Sequence, residues 1–150
     1  MAATPALPSQ TMWVDWLLRL NLAASLYMTG VIWFVQLVHY PLFSAVPASS
    51  FKQYEQRHQQ LTTFVVAPPM LLELGASIAL VYLFPTSTVL WITAALTLVN
   101  WASTMGIQVP LHNKLGSGLD LTIVQDLVQT NWIRTIAWTL RSAILLYNLR

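Results

Sequence analysis

The sequence predicts an all-α membrane protein, a four-transmembrane-helix bundle with a short interfacial amphipathic helix before the second span, and three observations predict it. Hydrophobic residues are 56% of the chain and charged residues only 8%, against about 25% charged in a typical soluble domain. So few charges cannot build a water-facing surface. The apolar residues gather into runs of the roughly 20 residues that a hydrocarbon core of about 30 Å demands of a helix. Short polar breaks containing Pro or Gly separate the runs, with no strand pattern and no internal repeat. The 150 residues therefore read as one transmembrane domain, with spans at about 16–40, 61–84, 88–109 and 128–149.

Residues 1–11 carry Pro5 and Pro8 and no basic residue, which reads as a short tail and not as a cleavable signal or transit peptide. The first span runs from about Trp16 to Tyr40. Asp15 and Arg19 stand four apart at its start, Trp13 and Trp16 suit an interfacial belt, and Pro41 lies just past its end. After Pro47, Ser50 and Gln53 have capping-box spacing and open the amphipathic stretch Phe51 to Gln60, expected at headgroup level. The second span, about Leu61 to Phe84, is expected to kink near its beginning at Pro68 and Pro69. Pro85 to Ser87 is a tight uncharged turn, so the third span, about Thr88 to Val109, forms an antiparallel hairpin with the second and is closed by Pro110. Gly116 and Gly118 break the chain again. Asp120 is placed to cap a last long helix that enters the membrane near Val128 and ends by Leu149.

Four spans put both termini on one side and the two polar connections, Pro41 to Gln60 and Leu111 to Gln129, on the other. Lys52, Arg57 and Lys114 lie in the connections while the tail side offers mainly Arg150. The positive-inside rule thus favours cytoplasmic connections in an integral, multi-pass protein. The absence of cysteine removes disulfides, thiolate ligands and cysteine nucleophiles together. A net charge of +2, scattered along the chain, is too small to imply nucleic acid as a partner.

Each span carries a polar stripe at helical spacing. Thr93, Thr97, Asn100, Thr104, Gln108 and His112 follow one face of the third. Asn21, Ser25, Thr29, Gln36 and Tyr40 align on the first, Thr62, Pro69, Glu73 and Ser77 on the second, and Asn131, Arg134, Trp138 and Arg141 on the fourth. Lipid cannot hydrogen-bond these groups, so the stripes are expected to line a common interior. For the small polar residues, interhelical packing explains the pattern without any further function. Glu73 differs, because it falls near the bilayer centre, where a carboxylate must be protonated, paired or bound to a cation. Arg134 and Arg141 are its available partners and Asn100 lies at a similar depth, so Glu73 reads either as a register-fixing ion pair or as a working group.

The three histidines of the chain all fall at one membrane face: His39 ends the first span, His58 precedes the second and His112 follows the third. Imidazole is the commonest metal ligand and titrates near neutrality, so their convergence points to a metal site, a haem ligand pair or a proton relay. Glu55 and His58 add a Glu-x-x-His spacing, which puts a carboxylate and an imidazole on one helical face. A lone interfacial histidine, by contrast, is ordinarily a headgroup-level polar residue. Tyr40, Gln108, Asn113, Asn131 and Arg134 cluster at the same level and can supply hydrogen bonds to a cofactor or substrate.

Two segments, Val109-Pro110-Leu111-His112-Asn113 closing the third helix and Asn131-Trp132-Ile133-Arg134 opening the fourth, give the chain a resemblance to the anthrone-oxygenase-like family of small four-helix membrane proteins. The family pattern has an asparagine before that proline, where this chain has Gln108 two residues ahead. The resemblance implies a small lipophilic substrate. The leading expectation is a membrane-embedded oxidoreductase. In it His39, His58, His112 and Glu55 bind a metal ion (iron, copper or zinc) or haem, and Glu73 and Arg134 orient the substrate or move protons. Two other classes stand beside it: a small subunit or assembly factor of a larger membrane complex, with a pigment or partner helices on its stripes, and a proton-coupled transporter built on Glu73, which would form a homo-oligomer.

Overall fold

The computed structural model describes residues 11–148. The expected tail before Thr11, the helix end at Leu149 and the Arg150 charge lie outside the described residues. Every described element is helical. Helix α1 (Met12–Phe34) runs into a π turn (Val35–His39) and a 3-10 turn (Pro41–Ala45); α2 (Ala48–Leu83) and α3 (Thr88–Ser103) form the hairpin; a second π turn (Thr104–Gln108) leads into α4 (Val109–Leu115), and α5 (Leu121–Asn148) closes the bundle. Helices α1 and α3 each pack against both α2 and α5, so the four long helices surround one interior. Three helical stretches, Met12–Ala45, Ala48–Leu83 and Thr88–Leu115, are long and apolar enough to cross a membrane. The fourth, α5, is long enough but carries Arg134 and Arg141 within it.

The bundle is polar inside and apolar outside, as a helical protein in lipid requires. Asn21, Ser25, Gln36, Glu73, Thr93, Asn100, Asn131 and Arg141 are buried, while Trp13, Trp16, Leu71, Ile78, Leu98, Ile136 and Leu140 are exposed. Small hydroxyls join helices as packing residues: Ser25 and Ser142 lie 2.8 Å apart between α1 and α5, with Thr29 2.8 Å from the same Ser142, and Ser77 and Thr97 meet at 3.3 Å between α2 and α3.

Three boundaries differ from the sequence expectation. Phe51 to Gln60 is not a separate interfacial helix, because nothing between Ser50 and Ala67 breaks the chain and α2 runs on for 36 residues. At 1.5 Å rise that is about 54 Å, longer than a hydrocarbon core of roughly 30 Å. The Ser50–Gln53 capping box does not form. The helix starts earlier, behind Pro47, and the Ser50 hydroxyl donates to the Pro47 carbonyl at 3.1 Å. Pro110 does not close the third helix either. It is the second residue of α4, carried there by the π turn.

Both π turns sit just ahead of a proline. Proline has no N–H for the carbonyl four residues back and its ring crowds that carbonyl. A turn widened to i→i+5 bonding accommodates it, as in the Tyr40 N–H donating to Val35 O at 3.0 Å. Such widened turns recur at functional sites because they re-aim the side chains that follow. Here those side chains include Tyr40 and His112. The Asp120 cap forms as expected, its carboxylate accepting from the N–H groups of Thr122 at 2.8 Å and Ile123 at 3.3 Å.

Candidate metal centre

Three helical segments bring the histidines together. His39 ends the π turn of α1, Glu55 and His58 lie one turn apart on α2, and His112 sits on α4. The ring centroids of His39 and His58 are 4.7 Å apart and those of His58 and His112 are 5.1 Å apart. Phe43, fully buried, stands edge-on to His39 and His58 and walls them from the 3-10 turn. Ligand atoms of Glu55, His58 and His112 all lie within 4.8 Å of one another, and all three residues are buried. This group is placed to hold a metal ion. His39 is not among the converging donors. It stands behind His58, its Nε2 2.9 Å from His58 Nδ1, which Thr62 also approaches at 3.1 Å. A single proton is shared in that His39–His58 bond, so at least one of the two rings is neutral.

Glu55 begins a chain of hydrogen bonds through the cluster. His112 Nδ1 donates to Glu55 Oε1 at 2.6 Å, His112 Nε2 meets the Tyr40 hydroxyl at 2.9 Å, and Arg134 Nη2 donates to the same hydroxyl at 3.1 Å. Gln59 Nε2 donates to Glu55 Oε1 and to the His112 carbonyl, both at 3.1 Å. The other carboxylate oxygen, Glu55 Oε2, is buried with no hydrogen-bond partner among the described residues. Buried carboxylate oxygens are ordinarily satisfied, and leaving one bare is costly.

A cavity of about 220 Å³ adjoins the cluster. Tyr40, His58, His112, Arg134, Gln108 and Thr104 give it a polar end, and Val66, Met70, Trp101 and Met105 give it apolar walls. Its lining comes chiefly from α2 and from the rod of α3, π turn and α4. Thr63, Met105 and Val109 are exposed on its rim, so the mouth opens sideways on the outer face of the bundle.

The remaining expected residues divide between this site and elsewhere. Arg134 belongs here, and Asn131 positions it, accepting from Arg134 Nε at 3.0 Å and again from Nη2 while donating to Gln36 Oε1 at 2.9 Å. Gln108 lines the cavity and donates to Thr130 at 2.8 Å. Asn113 is exposed on α4 and is not among the cavity residues, because the helix continuing past Pro110 turns it away from the His112 face. Glu73 and Arg134 are not brought together: Glu73 pairs with Arg141 at 2.7 Å and accepts from Trp138 Nε1 at 2.9 Å. Asn100 is buried, and neither side-chain atom has a hydrogen-bond partner among the described residues. Gln59 also belongs to the site, and its i+4 spacing from Glu55 on one helix face is the sequence signal for it.

Comparison with known proteins adds no relative: no protein-family model, no curated protein and no solved structure matches the chain.

Proposed function

We propose that the chain is an integral membrane oxidoreductase that holds one transition-metal ion at Glu55, His58 and His112 and acts on a small lipophilic substrate in the adjoining cavity. The observation that carries this reading is Glu55 Oε2, a buried carboxylate oxygen with no partner beside two imidazoles. Two imidazoles and one carboxylate are the donor set of non-haem iron(II) oxygenases, and zinc also accepts it. The donors converge on one point and do not flank a slot, which favours an ion over haem. Bound there, an iron ion would supply one-electron and dioxygen chemistry. The chain's own residues do the rest. His39 and Thr62 orient the His58 ring, Tyr40 orients the His112 ring through Nε2, so that the ion would take the place of the proton on Nδ1, and the apolar walls exclude water.

In this reading all four long helices cross the bilayer. The arginines that lower the hydropathy of α5 point inward, while its outer face presents Trp132, Ile133, Ile136 and Leu140. The site then lies at the leaflet of the polar connections, taken as cytoplasmic on their positive charges. The two segments that resemble the anthrone-oxygenase-like family supply His112, Asn131 and Arg134 to the site, which supports an oxygenase as the form of the oxidoreductase.

Protein purified in mild detergent without chelator is expected to contain about one iron, copper or zinc ion per chain by elemental analysis, with no Soret band. Protein that is metal-free and binds neither added iron(II) nor zinc overturns the reading. His39→Ala is expected to weaken metal binding by about 10–100-fold without abolishing it, because His39 orients a ligand and is not one. A competition titration against a chelator of known affinity measures this, and complete loss of binding would make His39 a ligand.

A further inference from the structure

Two arginines on α5 are buried, Arg141 fully and Arg134 with 8% exposure, and they are partnered differently. Arg141 has the Glu73 carboxylate at 2.7 Å. Arg134 has no carboxylate within ion-pair distance among the described residues. Its partners are the neutral oxygens of Asn131, Tyr40, Gln108 and Thr104. Glu55 is reached only through His112 and Tyr40, and in the proposed centre its charge faces the metal. A guanidinium does not give up its proton inside a protein, and a buried cation without a counter-charge is strongly unfavourable. The site therefore holds a positive charge that no described residue neutralises.

The hold on that guanidinium is uneven. Nε and the inner hydrogen of Nη2 are fixed by Asn131. On the remaining edge Nη1 has only a long contact to Thr104 Oγ1 at 3.4 Å, and the outer Nη2 hydrogen lies between the Tyr40 hydroxyl at 3.1 Å and Gln108 Oε1 at 3.4 Å. Arg134, Thr104 and Gln108 all line the cavity, so the loosely held edge is the one beside it. Two parallel N–H donors in a rigid plane match a carboxylate, which accepts both at once. Beyond that edge the walls are apolar and the mouth opens on the outer face of the bundle, where lipid lies.

We infer that the cavity takes a lipophilic carboxylate, such as a fatty acid, with its head against the Nη1–Nη2 edge of Arg134 and its tail passing between α2 and α3 into the bilayer. This rests on the reading of the cavity as the substrate site and names its substrate class. The acid neutralises the arginine and replaces the long Thr104 and Gln108 contacts, together with the Nη2 hydrogen bond to Tyr40, by two short charge-assisted ones. An alcohol of the same chain length fills the same walls and leaves the charge uncompensated.

The test is binding of radiolabelled dodecanoate, dodecanol and dodecyl phosphate to the full chain in phosphatidylcholine nanodiscs, corrected for empty nanodiscs. Dodecanoate is expected to bind at least about tenfold more tightly than dodecanol and more tightly than the phosphate. Arg134→Gln is expected to erase the acid preference, and Arg134→Lys to keep part of it. Equal binding of acid and alcohol by the wild-type protein overturns the inference, as does a preference for the phosphate or a preference that survives in Arg134→Gln. The wild-type comparison decides alone where a variant does not fold. Metal content measured on the same samples separates the two ideas: metal without acid preference removes the carboxylate, and acid preference without metal removes the proposed centre.

Discussion

Replacing Glu55 with glutamine is expected to empty the metal centre while leaving the bundle folded. Glutamine keeps the shape of the side chain and an oxygen to accept from His112 Nδ1, the contact now made at 2.6 Å. It loses the negative charge and the bare Oε2, which the proposed ion needs and which has no hydrogen-bond partner among the described residues. Removing a ligand should cost more than the about 10–100-fold attached to an orienting residue, so occupancy should fall from about one ion per chain to near zero. Stability gives an independent readout. An ion that binds only the folded state adds about 2.7 kcal/mol at a hundred times its dissociation constant, and this gain should appear on titrating metal into the wild-type protein and not into Glu55→Gln. Without metal the variant should stay close to the wild type in stability, since it loses a buried negative charge while an unpartnered amide NH2 takes the place of Oε2. A variant that keeps stoichiometric metal and the metal-dependent gain would show that Glu55 serves only to hold His112, and the proposed centre would fall.

Three of the long helices are legible in the sequence because their apolar runs have the length that crosses hydrocarbon, and the fourth, α5, is legible from its Asp120 cap and the helical spacing of its polar stripe. The inward polar stripes, such as Thr93, Thr97 and Asn100, are legible because lipid leaves such groups no other place. The shared level of the three histidines follows from counting spans. What the sequence hides is the local backbone at Pro41 and Pro110. The rule that proline stops a helix is a rule about one missing hydrogen bond, and a π turn meets that deficit without stopping anything. Hence Pro110 lies inside a continuous rod, His112 faces the cavity and Asn113 faces outward. The choice of partner for Glu73 was hidden for a related reason. Arg134 and Arg141 lie seven residues apart, about 10 Å along one helix face, and only the vertical offset of α2 against α5 selects between them. Stripe patterns fix which face turns inward and leave that offset open.

Glu73→Gln is expected to be the most destabilising conservative change in the bundle. Arg141 is fully buried and is held on every side: Nη1 donates to Glu73 Oε1 at 2.7 Å, Nε to Thr97 Oγ1 at 2.8 Å, and Nη2 to Asn21 Oδ1 at 2.7 Å and Ser77 Oγ at 3.2 Å. These contacts tie all four long helices to one guanidinium. Neutralising Glu73 leaves that charge uncompensated inside the protein, a loss of about 3–5 kcal/mol where one member of a buried pair is removed. The double change Glu73→Gln with Arg141→Gln removes the stranded charge as well, so its loss should be well below the sum of the two single losses. Unfolding in mixed micelles with increasing SDS measures all three. The same variants bear on transport. Glu73 lies about 22 Å along α2 from His58 by helical rise and is closed in by Arg141 and Trp138, so proton flux through vesicles should not distinguish Glu73→Gln from the wild type. A stable Glu73→Gln protein that has lost a flux present in the wild type would reverse the assignment and make this pair a working proton site.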